Sequence, residues 1–161
     1  MVIQRIGFAC KYMDPDQTQK KKILEEIQRP LNTRSTTVQW LNRQTREVAE
    51  QRLWDIMVHN IQSYYNLIEY VGGLPHGLRM VRLGSDVLPV YTQRDWAYYW
   101  QQADVIAYAE THFAKVGELA RTLDVRLSMH PGQFTVLASD NADIVDRSIE
   151  EFEYHTDVIR Y

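Results

Sequence analysis

Several common protein classes are ruled out by what this chain lacks. Its 161 residues contain one cysteine, Cys10, so no internal disulfide framework can form, and a reducing compartment suits it. No run of 18 apolar residues occurs, and Gln4 and Arg5 interrupt the apolar core that a signal peptide needs. The expectation is a soluble, cytoplasmic chain without membrane attachment. Positive charge is also in short supply: 18 Lys and Arg against 21 Asp and Glu leave a net −3. That argues against retention on nucleic acid by bulk charge. No GxGxxG, P-loop, HxH, HExxH or CxxC spacing is present, so local sequence spells neither a nucleotide cradle nor a complete metal site. Repeats and low-complexity tracts are missing too.

What remains is a domain-sized chain with 45% apolar residues, enough for a real core. Its charge is uneven. Residues 1–80 hold 11 Lys and Arg against 8 acids, whereas residues 81–161 hold 7 against 13. A positive front half suits an anionic partner and an acidic back half a cation, although solvated helix faces produce the same pattern.

Strand signals alternate with helix signals. Ile3 to Cys10 reads as a short buried strand. A long loop, 12–44, follows, with turn signals at Asp14-Pro15-Asp16 and Arg29-Pro30-Leu31-Asn32 and a short helix over Lys21–Gln28. Thr45 to Tyr70 carries one helical stripe through Val48, Leu53, Ile56, Asn60, Tyr64, Leu67 and Val71, with Gly72-Gly73-Leu74-Pro75 as a left-handed cap and stop. Leu78–Gly84 reads as a second strand, Ala97–Leu123 as a second long helix, and Val125–His130 as a third strand. Ser139 or Asp140 then caps a last helix with Val145, Ile149, Phe152 and Ile159 on its inner face. Three βα units in one domain, 1–161, predict an α/β fold with a parallel sheet and right-handed crossovers. Chemistry in such sheets sits at the strands' C-terminal ends.

Those ends carry the informative residues. His130 closes the third strand, where an imidazole can ligate a metal, exchange protons or simply be structural. Pro131-Gly132 forces a turn that presents Gln133 and Phe134, an amide beside an aromatic ring, which suits contact with a base; Phe134 can also fold back onto the core. Asp86, after the second strand, can ligate a hard cation or cap a turn. His59, His76, His112 and His155 show no ligand spacing.

The segment Leu127-Ser128-Met129-His130-Pro131-Gly132-Gln133-Phe134, with Ser148-Ile149-Glu150-Glu151-Phe152 and Tyr154-His155 downstream, resembles the UV-damage endonuclease family. Arg5–Cys10, Glu50–Asn60 and Arg82–Pro89 agree with it in order and spacing; the stretch from Lys11 to Thr37 does not take part. The resemblance implies a TIM (β/α)8 barrel with divalent metal ions, commonly Mn²⁺, at its mouth. It implies an endonuclease that nicks damaged double-stranded DNA 5′ to photolesions by metal-assisted hydrolysis. It makes His130 a metal ligand, Gln133 and Phe134 a probe pair entering the duplex at the lesion, and Phe8 a neighbour of the lesion pocket. Gln93 stands where the family usually has an active-site His, and Asp86 lies beside it; catalytic residues are not otherwise identified. A barrel has eight βα units, so the expectation is the N-terminal part of one, completed by a missing C-terminal half or a second chain and inactive alone. The alternatives are a non-catalytic DNA-binding fragment or another metal-dependent barrel enzyme, of the apurinic endonuclease or sugar isomerase type.

Overall fold

Three strands lie parallel in the order β1-β2-β3 in the computed structural model, which describes residues 4–132 and 135–160. The elements are β1 (Phe8–Ala9), α1 (Lys21–Gln28), α2 (Val38–Leu41), α3 (Arg46–Gly72), β2 (Met80–Gly84), α4 (Ala103–Thr122), β3 (Arg126–His130) and α5 (Ala142–Arg160). Phe8 pairs with Val81, and Val81 with Leu127, so the register brings all three C-terminal ends to one side. Among the described residues, no helix is long and apolar enough to cross a membrane.

α3 forms where its stripe predicts. Thr45 caps it by accepting from Val48 N, and Leu53, Ile56, Tyr64, Leu67 and Val71 are buried as expected, whereas Val48 lies exposed. Each fully buried aliphatic side chain contributes about 1.5–3 kcal/mol, so this stripe with Val105, Phe113 and Val116 of α4 anchors the core. The helices cover one sheet face, that of Val81, Leu83, Leu127 and Met129. The pleat turns Arg82, Ser128 and His130 to the other face. Parallel sheets are usually covered on both faces; this one carries polar residues on its second.

Several expectations need correction. The first strand is shorter than expected: the ladder comprises Phe8–Ala9, and Cys10 then turns to a φ of 65°. Ile3 lies outside the described residues. The 12–44 segment also holds a short helix, α2, where Thr37 accepts from Trp40 N. Gly72 and Gly73 are not a left-handed cap, because neither has a positive φ. Gly72 instead lets Leu123 pack against α3, since a Cβ there would lie 2.5 Å from Leu123 Cδ1. The Ala97–Leu123 helix is broken at Gln102 (ψ 136°), leaving a 3₁₀ turn over Ala97–Gln101 before α4. Asn141, not Ser139 or Asp140, caps α5, its Oδ1 accepting from Asp143 N at 2.9 Å. The buried face of α5 is Ser148, Tyr154, His155 and Val158; Ile149, Phe152 and Ile159 are exposed. The reason is polar. Tyr154 reaches the backbone just after the second strand, at Ser85 and Leu88, through its hydroxyl, and that contact turns the aliphatic stripe outward.

Candidate functional site

The mouth of the sheet is held open by buried side chains that grip backbone carbonyls. Tyr64 of α3 donates its hydroxyl to Gly84 O. Tyr154 of α5 donates to Ser85 O at 2.8 Å and accepts from Leu88 N at 3.0 Å. Asn60 of α3 donates from Nδ2 toward Asp86 O (3.2 Å) and Val87 O (2.9 Å). The carbonyls of Gly84, Ser85 and Val87, with Asp86 O as a longer shared contact of the same Asn60 amide, are thus met by three side chains, which fixes a loop that would otherwise bury unpaired polar groups. Burial pushes both tyrosine hydroxyls far above their ordinary pKa, so they stay protonated donors.

Asn60 also reaches the long first loop. It accepts from Arg34 N at 2.7 Å and donates to Arg34 O at 2.9 Å. His59, one residue earlier, binds Asn32 O through Nε2 at 3.1 Å, and a carbonyl only accepts, so Nε2 carries the proton. Burial first, and then the nearby charges of Arg34 and Arg29, hold the His59 pKa below its ordinary value. A histidine with a lowered folded value binds its proton more tightly when unfolded. Its contribution is therefore present above the ordinary histidine value and lost as pH falls through the lowered one. Acid titration of urea stability should show this loss below about pH 6.5, and His59→Gln should shrink that limb of the profile, leaving the share of the buried His155, whose value is also lowered. An unchanged profile would mean that His59 does not set it.

His130 stands at the C-terminal end of β3, half-buried, with Nδ1 donating to Pro131 O at 2.6 Å. That bond fixes the tautomer and leaves Nε2 with a free lone pair, the form a metal ion takes. The following turn is moored to α5. Thr135 N donates to Gly132 O at 3.0 Å, and Val136 N to the buried Ser148 Oγ at 2.8 Å. Gln133 and Phe134 lie outside the described residues. Glu151 approaches the same turn, its Oε1 lying 3.6 Å from where a Gly132 Cβ would be. His155 Nε2 is 3.5 Å from Glu151 Oε1, buried and without a hydrogen bond. Burial lowers the His155 pKa, Glu151 opposes, and the nearby His130 adds to the lowering.

Asp86 and Gln93 both line a cavity of about 310 Å³ at this mouth, with Ser35, Ser85, Glu151 and Tyr154. Asp86 neither caps a turn nor stands free: its carboxylate takes the Thr33 hydroxyl at 2.9 and 3.0 Å. Phe8 is half-buried, edge-on to Tyr12 at 6.2 Å and packed against the core. A larger hollow, about 750 Å³, lies between α3 and α4 over Trp54, Tyr108 and His112, away from the strand ends. Among the described residues, no three or more His, Cys, Asp or Glu side chains are gathered to hold a metal ion. His130 keeps one ring nitrogen without a hydrogen-bond donor role, and the described side chains gather no ligand set around it. Asn60 and Tyr154 were missed as site residues because their contacts run across 26 or more positions of sequence, and Glu151 because it meets the turn at Gly132 from 19 positions away, which no local motif reports.

The family model described as UV-endonuclease UvdE matches residues 4–161. The chain belongs to this family. It is 28% identical over 155 residues to the UV-damage endonuclease of Schizosaccharomyces pombe, covering 96% of this chain and 22% of that protein. It is 29% identical over 115 residues to the UV DNA damage endonuclease of Bacillus velezensis, covering 71% of this chain and 34% of that one. The solved structure of SacUVDE shares the fold with a TM-score of 0.71 at 19% identity, over 98% of this chain and 45% of that one. This UvdE-family chain therefore spans about a fifth to a third of those curated relatives, and its three-stranded α/β sheet corresponds to part of the UV-endonuclease barrel.

Proposed function

We propose that the chain is the N-terminal part of a UV-damage DNA endonuclease that nicks damaged duplex 5′ to photolesions by metal-assisted phosphodiester hydrolysis. The observation that carries this reading is His130: it lies in the Leu127–Phe134 segment, at a strand's C-terminal end, in the tautomer that leaves Nε2 to a metal. In this reading His130 is one ligand of a divalent ion, Mn²⁺ by the family resemblance. The remaining ligands come from βα units beyond the three present here, supplied by the rest of the barrel or a second chain. Asp86, Gln93 and Glu151 line the approach to it. Gln133 and Phe134 are the pair that probes the stack, and Phe8 lies towards the lesion. A lesion has already weakened stacking, so inserting a wedge costs less there, and this gives selectivity for damage.

In an active version, replacing Gln133 and Phe134 with alanine should reduce discrimination between irradiated and untreated plasmid while leaving cleavage itself in place. Full selectivity in that variant would remove the probe assignment. A second reading, a DNA-binding fragment without catalysis, is favoured by one observation: no three-ligand group is assembled among the described residues. The two differ in whether the short chain, given Mn²⁺, nicks DNA or only binds it.

A further inference from the structure

The larger hollow, between α3 and α4, shares no lining residue with the mouth cavity. Ile61 and Val116, both buried, close its floor. Three half-buried rings make up one wall. Tyr108 and His112, one turn apart on α4, lie face to face at 3.9 Å with an interplanar angle of 16°. Trp54 of α3 leans against Tyr108 at 5.0 Å. The volume of the hollow, about 750 Å³, is that of a small-molecule site.

Its polar groups keep bonding capacity to spare. Lys115 lines the hollow, exposed, and among the described residues it forms no ion pair. Asp55, on α3, receives Gln51 Nε2 on Oδ1 at 2.8 Å, and among the described residues no hydrogen bond reaches its second oxygen. His112 Nδ1 donates to Tyr108 O at 2.8 Å, since a carbonyl only accepts, and Nε2 is left as an acceptor. The hollow thus combines a ring wall with two acceptors, Asp55 and His112, and one cation, Lys115. Rings left half in water lose that apolar exposure when another flat ring is laid on them. A matching ligand therefore has three parts: a flat face for the wall, N–H groups for the acceptors and an anion for Lys115.

We propose that the α3–α4 hollow is a binding site for a free nucleoside monophosphate. The base stacks on the wall of Trp54, Tyr108 and His112, its amino edge faces Asp55, and the phosphate meets Lys115. A purine carries both the flat face and the N–H donors, and its phosphate supplies the anion. A base stacked inside a duplex offers neither of its faces, so double-stranded DNA does not fill this hollow. The site goes beyond the endonuclease reading and stands or falls without it.

The test titrates the whole chain with adenosine monophosphate, following tryptophan emission and, on isotope-labelled chain, amide shifts. Binding should quench emission and move amides over Trp54–Tyr65 and Tyr108–Val116, leaving those around His130 in place. Adenosine should bind about tenfold more weakly than its monophosphate. Lys115→Gln should weaken the monophosphate about tenfold and leave adenosine unchanged. Trp54→Leu should weaken both about tenfold, with circular dichroism showing whether α3 persists; the exposed Lys115 tests the site whether or not that variant folds. A single-stranded adenine tetranucleotide should bind no tighter than the mononucleotide, and markedly tighter binding overturns the choice of a free nucleotide. No binding at millimolar monophosphate overturns the site. So do shifts centred on Asp86 and His130, or equal affinities in the wild-type chain and Lys115→Gln. Nicking of plasmid is not a readout here, so failure of this site and failure of the endonuclease reading stay distinguishable.

Discussion

Replacing Asn60 with leucine is expected to destabilise the fold by about 3–5 kcal/mol, although the side chain's volume barely changes. Asn60 is fully buried and meets four backbone groups: Arg34 N, Arg34 O, Asp86 O and Val87 O. A net hydrogen bond contributes only about 1 kcal/mol, but each buried group left without a partner costs about 1–3 kcal/mol. Water can reach those at the loop's edge, which keeps the sum below the fully buried limit. Urea unfolding measures the change directly. The same substitution frees Arg34 from α3 and the Asp86 loop from its tie. A loss below about 1 kcal/mol would mean that these pins are solvated and do not organise the mouth. Asn60→Asp is a useful companion, because it keeps the acceptor for Arg34 N and removes the donor to the carbonyls.

The second large effect falls on chemistry. His130→Ala should abolish metal-dependent nicking in any version of the protein that nicks, a fall of at least about 100-fold. It should leave stability nearly intact, because the side chain is half-buried at a strand end and its one hydrogen bond is to the neighbouring Pro131. His130→Gln preserves a polar side chain of similar reach without an imidazole nitrogen, and should be equally inactive. Activity retained in either variant would remove His130 from the metal site and with it the observation on which the functional reading rests.

The reach of sequence reasoning can be seen residue by residue. α3 was legible because its stripe repeats at the helical period and is buried along nearly its whole length. The order of strands and helices was legible for the same reason, as was the placing of His130 at a strand's end. The face of α5 was not. Ile149 and Phe152 are more apolar than Tyr154 and His155, so composition ranks them inward, yet the Tyr154 hydroxyl finds two backbone partners near β2 and decides the rotation. Glycine misled for a related reason: Gly72 is demanded by Leu123 packing against it, not by a left-handed turn. Local period and turn chemistry are written in neighbouring residues; polar ties across 20 to 70 positions are not.

One measurement bears most directly on the central claim, that this chain carries the N-terminal units of a UV-damage endonuclease. Irradiated and untreated supercoiled plasmid are incubated with Mn²⁺ and either the 161-residue chain or the same chain joined to further barrel units, and nicks are counted on a gel. The account predicts that the joined chain nicks irradiated plasmid selectively, that His130→Ala silences it, and that the short chain binds without cutting. Lesion-dependent nicking by the short chain would contradict its incompleteness. Nicking by neither version would contradict the endonuclease reading itself.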